Sequence, residues 1–135
     1  MVQPICPPGG HEISASQQGY VTSHGTYPFR YQPAICKLKI RGFGPNSRVK
    51  ITLTDFDIDL RDYLSIVGAT TLKLTKQWRL RTIYVLPDRD GEINFSFISV
   101  GRSSRGFQLH YEGKNALTVF MILCKDTCPV HACLT

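Results

Sequence analysis

The 135-residue chain lacks any apolar run approaching the roughly 20 residues that a membrane-spanning helix needs. Its longest candidate, residues 116–123, is followed by Lys125 and Asp126, so no transmembrane segment is expected in this chain. The N-terminal MVQPICPPGG has no basic segment leading into an apolar stretch, and no secretory signal peptide is visible. Internal repeats, low-complexity tracts and convincing helical periodicity are also missing. No glycine-rich loop runs into Lys-Ser/Thr, which removes the common phosphate cradle. His11, His24, His110 and His131 lie in dissimilar settings, none joined by motif to a serine or cysteine nucleophile, so the chain is not expected to be an enzyme. Carboxylates at i, i+2, as at Asp57/Asp59 and Asp88/Asp90, repeat one strand face, whereas a glycosidase pair must face across a cleft.

Acidic residues are fewer than basic ones, 10 against 16, giving a net charge of +6 and suiting acidic partners. The basic residues are spread along the chain, as on a solvated basic surface. Five cysteines are many for a chain of this size in a reducing compartment. Their placement favours disulfides and a secreted or extracellular setting, with an odd one left over. Asn94-Phe95-Ser96 is a formal glycosylation sequon inside a strand pattern.

Short alternating segments separated by turn residues recur from Gly19 to Tyr111. Lys37-Leu38-Lys39-Ile40 meets the turn cluster Gly42, Gly44, Pro45 and Asn46; Asp90-Gly91 turns the chain into Ile93-Asn94-Phe95-Ser96-Phe97. Residues 75–81 could hold a helical turn, but nothing caps it. This spacing of short strands predicts an all-β sandwich or barrel. Residues 49–66, VKITLTDFDIDLRDYLSI, are the most informative stretch. Val49, Ile51 and Leu53 alternate with polar residues, the phase slips at Thr54-Asp55, and Phe56, Ile58 and Leu60 are expected to carry the apolar face onward. Asp55, Asp57, Asp59 and Asp62 then share a rim where strand gives way to loop.

Gly19-Tyr20-Val21-Thr22-Ser23, Tyr27-Pro28, Tyr31, Cys36 and the alternating Leu38 and Ile40 resemble the opening of a CUB domain. Gly44 to Val49 is similar to that family's turn into the next strand. Phe56-Asp57-Ile58-Asp59, Asp62-Tyr63-Leu64-Ser65-Ile66 and Gly106-Phe107-Gln108-Leu109-His110-Tyr111 look like its later motifs, all in order. The resemblance implies a jelly-roll β-sandwich of two antiparallel sheets over residues 6–112. Residues 113–135 would be a C-terminal extension or the start of a following module, with Cys124, Cys128 and Cys133 of undetermined pairing. A zinc reading of these cysteines with His131 does not match a common finger spacing.

The resemblance further implies a Cys6–Cys36 disulfide and a non-catalytic, extracellular binding module. The second family disulfide is absent, and Leu38 stands where a tryptophan is usual. No cofactor is expected beyond the question of calcium, whose ligands would fall on Asp59 and Asp62. The third should follow Ser99, where Val100-Gly101-Arg102 stands, so solvated aspartates paired with neighbours such as Arg61 are the favoured reading. A protein partner would meet Asp59, Asp62 and Tyr63. An anionic glycan, as for the spermadhesins, would instead meet Lys37, Lys39, Arg41, Lys73, Lys76, Arg79 and Arg81. The chain could also be an accessory domain of a larger extracellular protease or receptor. Nucleic acid is not expected, because Tyr27, Tyr31, Phe43, Phe56 and Phe107 have core or motif explanations.

Overall fold

A computed structural model describes residues 2–6, 11–14, 18–44, 47–79, 82–101 and 104–115. The unassigned cysteines 124, 128 and 133, His131 and Arg81 lie outside the described residues. In chain order the strands are β1 Val2–Pro4, β2 His11–Ser14, β3 Gln18–Thr22, β4 Ala34–Arg41 and β5 Ser47–Asp57. They continue with β6 Tyr63–Val67, β7 Thr71–Leu74, β8 Thr82–Val85, β9 Glu92–Ser99 and β10 Gly106–Asn115. One sheet has the order β1-β3-β10-β5-β8 and the other β2-β4-β9-β6-β7. Pairing is antiparallel throughout except at the edge pairs β1–β3 and β2–β4, which are parallel. Among the described residues 75–79 there is a turn and no helix.

Strand alternation dictates the sandwich. In β9, Ile93, Phe95, Phe97 and Ser99 are buried while Glu92, Asn94, Ser96 and Ile98 face outward. The inward residues of both sheets form one core, including Leu38, Ile40, Val49, Ile51, Leu64, Ile66, Phe107 and Leu109. Leu38, in the tryptophan position, is buried and packed. The Cys6–Cys36 disulfide is present, linking the chain just after β1 in one sheet to β4 in the other.

The phase slip at Thr54-Asp55 is a β-bulge. Leu109 pairs with Leu53 and Gln108 with Asp55, so Thr54 is the extra residue in β5. Its hydroxyl donates to the Gln108 carbonyl at 3.0 Å and stabilises the irregularity. Beyond the bulge Phe56 and Ile58 return to the interior, but Leu60 does not continue the apolar face. It lies on a turn and is 68% exposed, because the strand has already ended at Asp57.

Candidate functional site

Three loops meet at the end of the sandwich where β5 and β9 finish and β10 begins: residues 23–33, residues 58–62 and the segment after Ser99. A hydrogen-bond network centred on Asp62 ties them together. Asp62 is only 1% exposed, and its carboxylate accepts from the Val100 N–H at 2.7 Å, the Gly101 N–H at 3.2 Å and the Tyr31 hydroxyl. The Tyr31 oxygen in turn accepts the Asp59 N–H at 2.9 Å. Burial first, and the bond to Asp62 second, push the Tyr31 phenol well above its usual pKa. Ser104 donates its hydroxyl to Asp59 Oδ1. Gly101 permits this closure, since a Cβ at that position would collide with the Asp59 carboxylate.

A second cluster lies alongside. Arg105 forms a fork on Asp55, with Nε at 2.8 Å from Oδ2, and reaches Asp57 Oδ2 from Nη1 at 3.3 Å. The Tyr27 hydroxyl also donates to Asp55. The Arg105 hydrogen bonds lower the Asp55 pKa, while burial and the bond to Asp55 raise Tyr27 to about 12. Among the described residues, the cation that pairs with Asp55 and Asp57 is Arg105, rather than the neighbouring Arg61 that the sequence suggested. Its separation of 50 residues from Asp55 hid it from local reading.

Among the expected contact residues, Asp59 and Tyr63 are half-buried. Asp62 lies beneath the surface and shapes the rim from below. The loops it ties carry Phe29, Leu60 and Val100, exposed by 75%, 68% and 49%. None of the three is expected from the sequence as an exposed apolar tip: the alternation puts Leu60 on the buried face, Val100 figures only as standing in a ligand position, and Phe29 carries no periodic signal.

Calcium needs six to eight oxygen ligands that point lone pairs at one centre. Here N–H and O–H donors already converge on Asp62, Ser104 donates to Asp59, and Gly101 supplies no carboxylate. This donor set does not fit the ion as arranged. Asp88, Asp90 and Glu92 can bring ligand atoms within 4.8 Å of one another elsewhere. There Asp88 Oδ1 accepts the Asp90 and Glu92 N–H groups, and Glu92 pairs with Lys39.

Four of the expected glycan contacts lie on the outer face of the second sheet. Lys37, Lys39 and Arg41 alternate outward along β4, and Lys73 points outward from β7. Lys39 pairs with Glu12 at 3.8 Å and Glu92 at 3.7 Å, and Arg41 pairs with Glu12 at 3.5 Å. Lys73 stands 4.2 Å from the Tyr63 ring centroid. Lys76 and Arg79 are exposed on the turn after β7.

A serine–histidine contact that no motif announced is present in the fold. Ser23 Oγ is 2.6 Å from His24 Nδ1, and His24 Nε2 is 2.5 Å from the Phe29 carbonyl oxygen. A carbonyl only accepts, so Nε2 carries the proton and Nδ1 accepts from Ser23. Both residues are buried, and Ser23 Oγ also accepts the Phe107 N–H. Gly106 sits against it at φ 98°, where a Cβ would strike the Ser23 hydroxyl. Packed in this way, the pair braces the loop of residues 23–33.

No protein-family profile and no curated protein sequence matches the chain. Solved structures do. The full extracellular region of zebrafish Gpr126/Adgrg6 aligns at TM-score 0.65 and 19% identity, covering 82% of this chain and 15% of that one. The CUB1-EGF-CUB2 region of human MASP-1/3 aligns at TM-score 0.63 and 22% identity, covering 77% of this chain and 41% of that one. The MASP-1 CUB2 domain bound to Ca2+ aligns at TM-score 0.56 and 23% identity, over 78% of this chain and 99% of that domain. The chain thus spans well under half of the first two structures and matches the length of a single domain in the third.

Proposed function

From the CUB fold of this chain, a jelly-roll sandwich shared with the domains of MASP-1, we propose a non-catalytic protein-binding module of extracellular type. Its contact region is the loop end, and it works there without calcium. The observation that carries this reading is the closed Asp62 network, which fixes three loops while leaving Phe29, Leu60 and Val100 in solvent. Ordering the loops in advance lowers the entropy cost of association, and exposed apolar tips supply area to bury. The Cys6–Cys36 disulfide supports an oxidising compartment. In this reading the buried Ser23–His24 pair is a brace for its loop.

Binding of the labelled chain to cultured cell surfaces tests the proposal. Retention in chelator, with a loss of several-fold on Leu60→Asp or Val100→Asp, is the expected result. Abolition by chelator, or indifference to both substitutions, overturns it.

One observation favours a second reading as a sulfated-glycan binder. Lys37, Ser96, Ser65 and Lys73 lie in one cross-strand row on the outer face. Retention on heparin beyond that on a cation exchanger of matched charge would support it, and identical elution would remove it.

A further inference from the structure

The outer face of the sheet β2-β4-β9-β6-β7 is layered by row. Next to the loop end, Ile35, Ile98 and Tyr63 are direct cross-strand neighbours. Ile35 is 61% exposed, and Ile98 and Tyr63 are half-buried. Val100 follows on β9's outward phase. The adjoining row is Lys37, Ser96, Ser65 and Lys73. The row after that holds Lys39, Asn94, Val67 and Thr71, and its cation is held by Glu12 and Glu92.

Among the described residues, no carboxylate pairs with Lys37 or Lys73. The two stand on strands separated by three inter-strand steps, about 14 Å at the usual spacing. An apolar row thus borders a polar row with an unneutralised lysine at each end. We propose that this face is a docking surface for an acidic protein segment that crosses the strands. An apolar side chain of the segment rests on Ile35, Ile98 and Tyr63, and its carboxylates reach Lys37 and Lys73. Two carboxylates about four extended residues apart span that distance.

The occupant is a protein segment rather than a sulfated glycan because three of the contact residues are apolar or aromatic side chains, which a highly charged sugar leaves poorly covered. The lysines supply charge complementarity and the apolar row supplies burial. Lys73 over the Tyr63 ring is also held near the surface that the segment would cover. This inference rests on the reading of the chain as a protein-binding module and names the chemistry of its partner.

The test uses the full chain as bait for a phage-displayed library of random peptides, with a labelled heparin oligosaccharide as second probe. Enriched peptides should be acidic, with an apolar residue between the acids. Their affinity should fall about tenfold or more in the Lys37→Glu/Lys73→Glu double variant. It should change less than about twofold in Arg48→Glu/Arg89→Glu, which alters net charge equally at exposed sites away from this face. Ile35→Thr, at a largely exposed site, should weaken binding with the fold intact. Enrichment without acidic bias, or equal loss in both double variants, overturns the proposal. Heparin binding that depends on Lys37 and Lys73 and displaces the peptides makes this a glycan site and also overturns it. If acidic peptides bind but depend on Leu60 and Val100 and not on the lysines, the module reading stands and this inference falls. Failure to enrich any peptide overturns this inference and leaves the module reading to the cell-surface test.

Discussion

Tyr31 and Asp62 illustrate how one buried hydroxyl and one buried carboxylate can hold several loops. The Tyr31 hydroxyl donates to Asp62 and accepts the Asp59 N–H, so Tyr31→Phe leaves one buried and one half-buried partner short at once. A loss of about 2–3 kcal/mol is expected, read in urea as a lowered midpoint at constant slope. Asp62→Ala orphans the Val100 and Gly101 N–H groups as well as the Tyr31 hydroxyl, and should cost about 3 kcal/mol or more. Gly101→Ala should destabilise too, since its new methyl meets the Asp59 carboxylate. From sequence these residues were identifiable as an aspartate motif and a tyrosine motif. That the aspartate accepts backbone donors depends on where Val100 and Gly101 arrive in space.

Strands β5 and β10 carry the next set of consequences. The bulge at Thr54 re-aims β5 so that Asp55 and Asp57 face Arg105, just before β10. Asp55 is more acidic folded than unfolded, chiefly because of Arg105. Its stabilisation is therefore full above the ordinary aspartate pKa of about 4 and is lost as pH falls through the lowered folded value. The melting-temperature gap between the native chain and Arg105→Ala should be flat near neutrality and narrow below about pH 4. Tyr27 behaves in the opposite sense. Its pKa is raised by burial and by its bond to Asp55, so its contribution is full below about pH 10 and lost as pH rises through about 12. Across the sheets, the disulfide closes a separation of 30 residues. Replacing both cysteines with serine should cost about 3–4 kcal/mol on the chain-entropy account.

At the scale of the whole molecule, internal hydrogen bonds to Asp59 and Asp62 tie the rim of the sandwich together, and the proposed calcium-independent reading has a direct thermal test. Millimolar calcium should shift the melting temperature by less than about 1 °C, and Asp62→Asn should leave that response unchanged in calorimetry. A rim site filled about tenfold over its dissociation constant would instead add about 1.4 kcal/mol and raise the melting temperature by several degrees. The rim carboxylates accept from Arg105, Ser104 and backbone donors, while Lys37 and Lys73 stand exposed on the outer sheet face. The net charge of +6 has the same sign as these lysines.

Much of the architecture could be read directly from residue order. Period-two alternation in residues 34–41 and 92–99 separates an inner from an outer face, because successive Cβ atoms leave a strand on opposite sides. The phase slip at Thr54 marked the bulge for the same local reason. Leu60 broke the pattern because alternation holds only while the backbone stays extended, and the strand stops at Asp57. Pairing across the rim had no local signal. Tyr31 meets Asp62 across 31 residues and Arg105 meets Asp55 across 50. Sequence by itself therefore determined which residues face inward, through a rule that acts between nearest neighbours. Only the tertiary structure decided which carboxylates stay available, because that depends on which loops the closed sandwich brings within hydrogen-bonding distance.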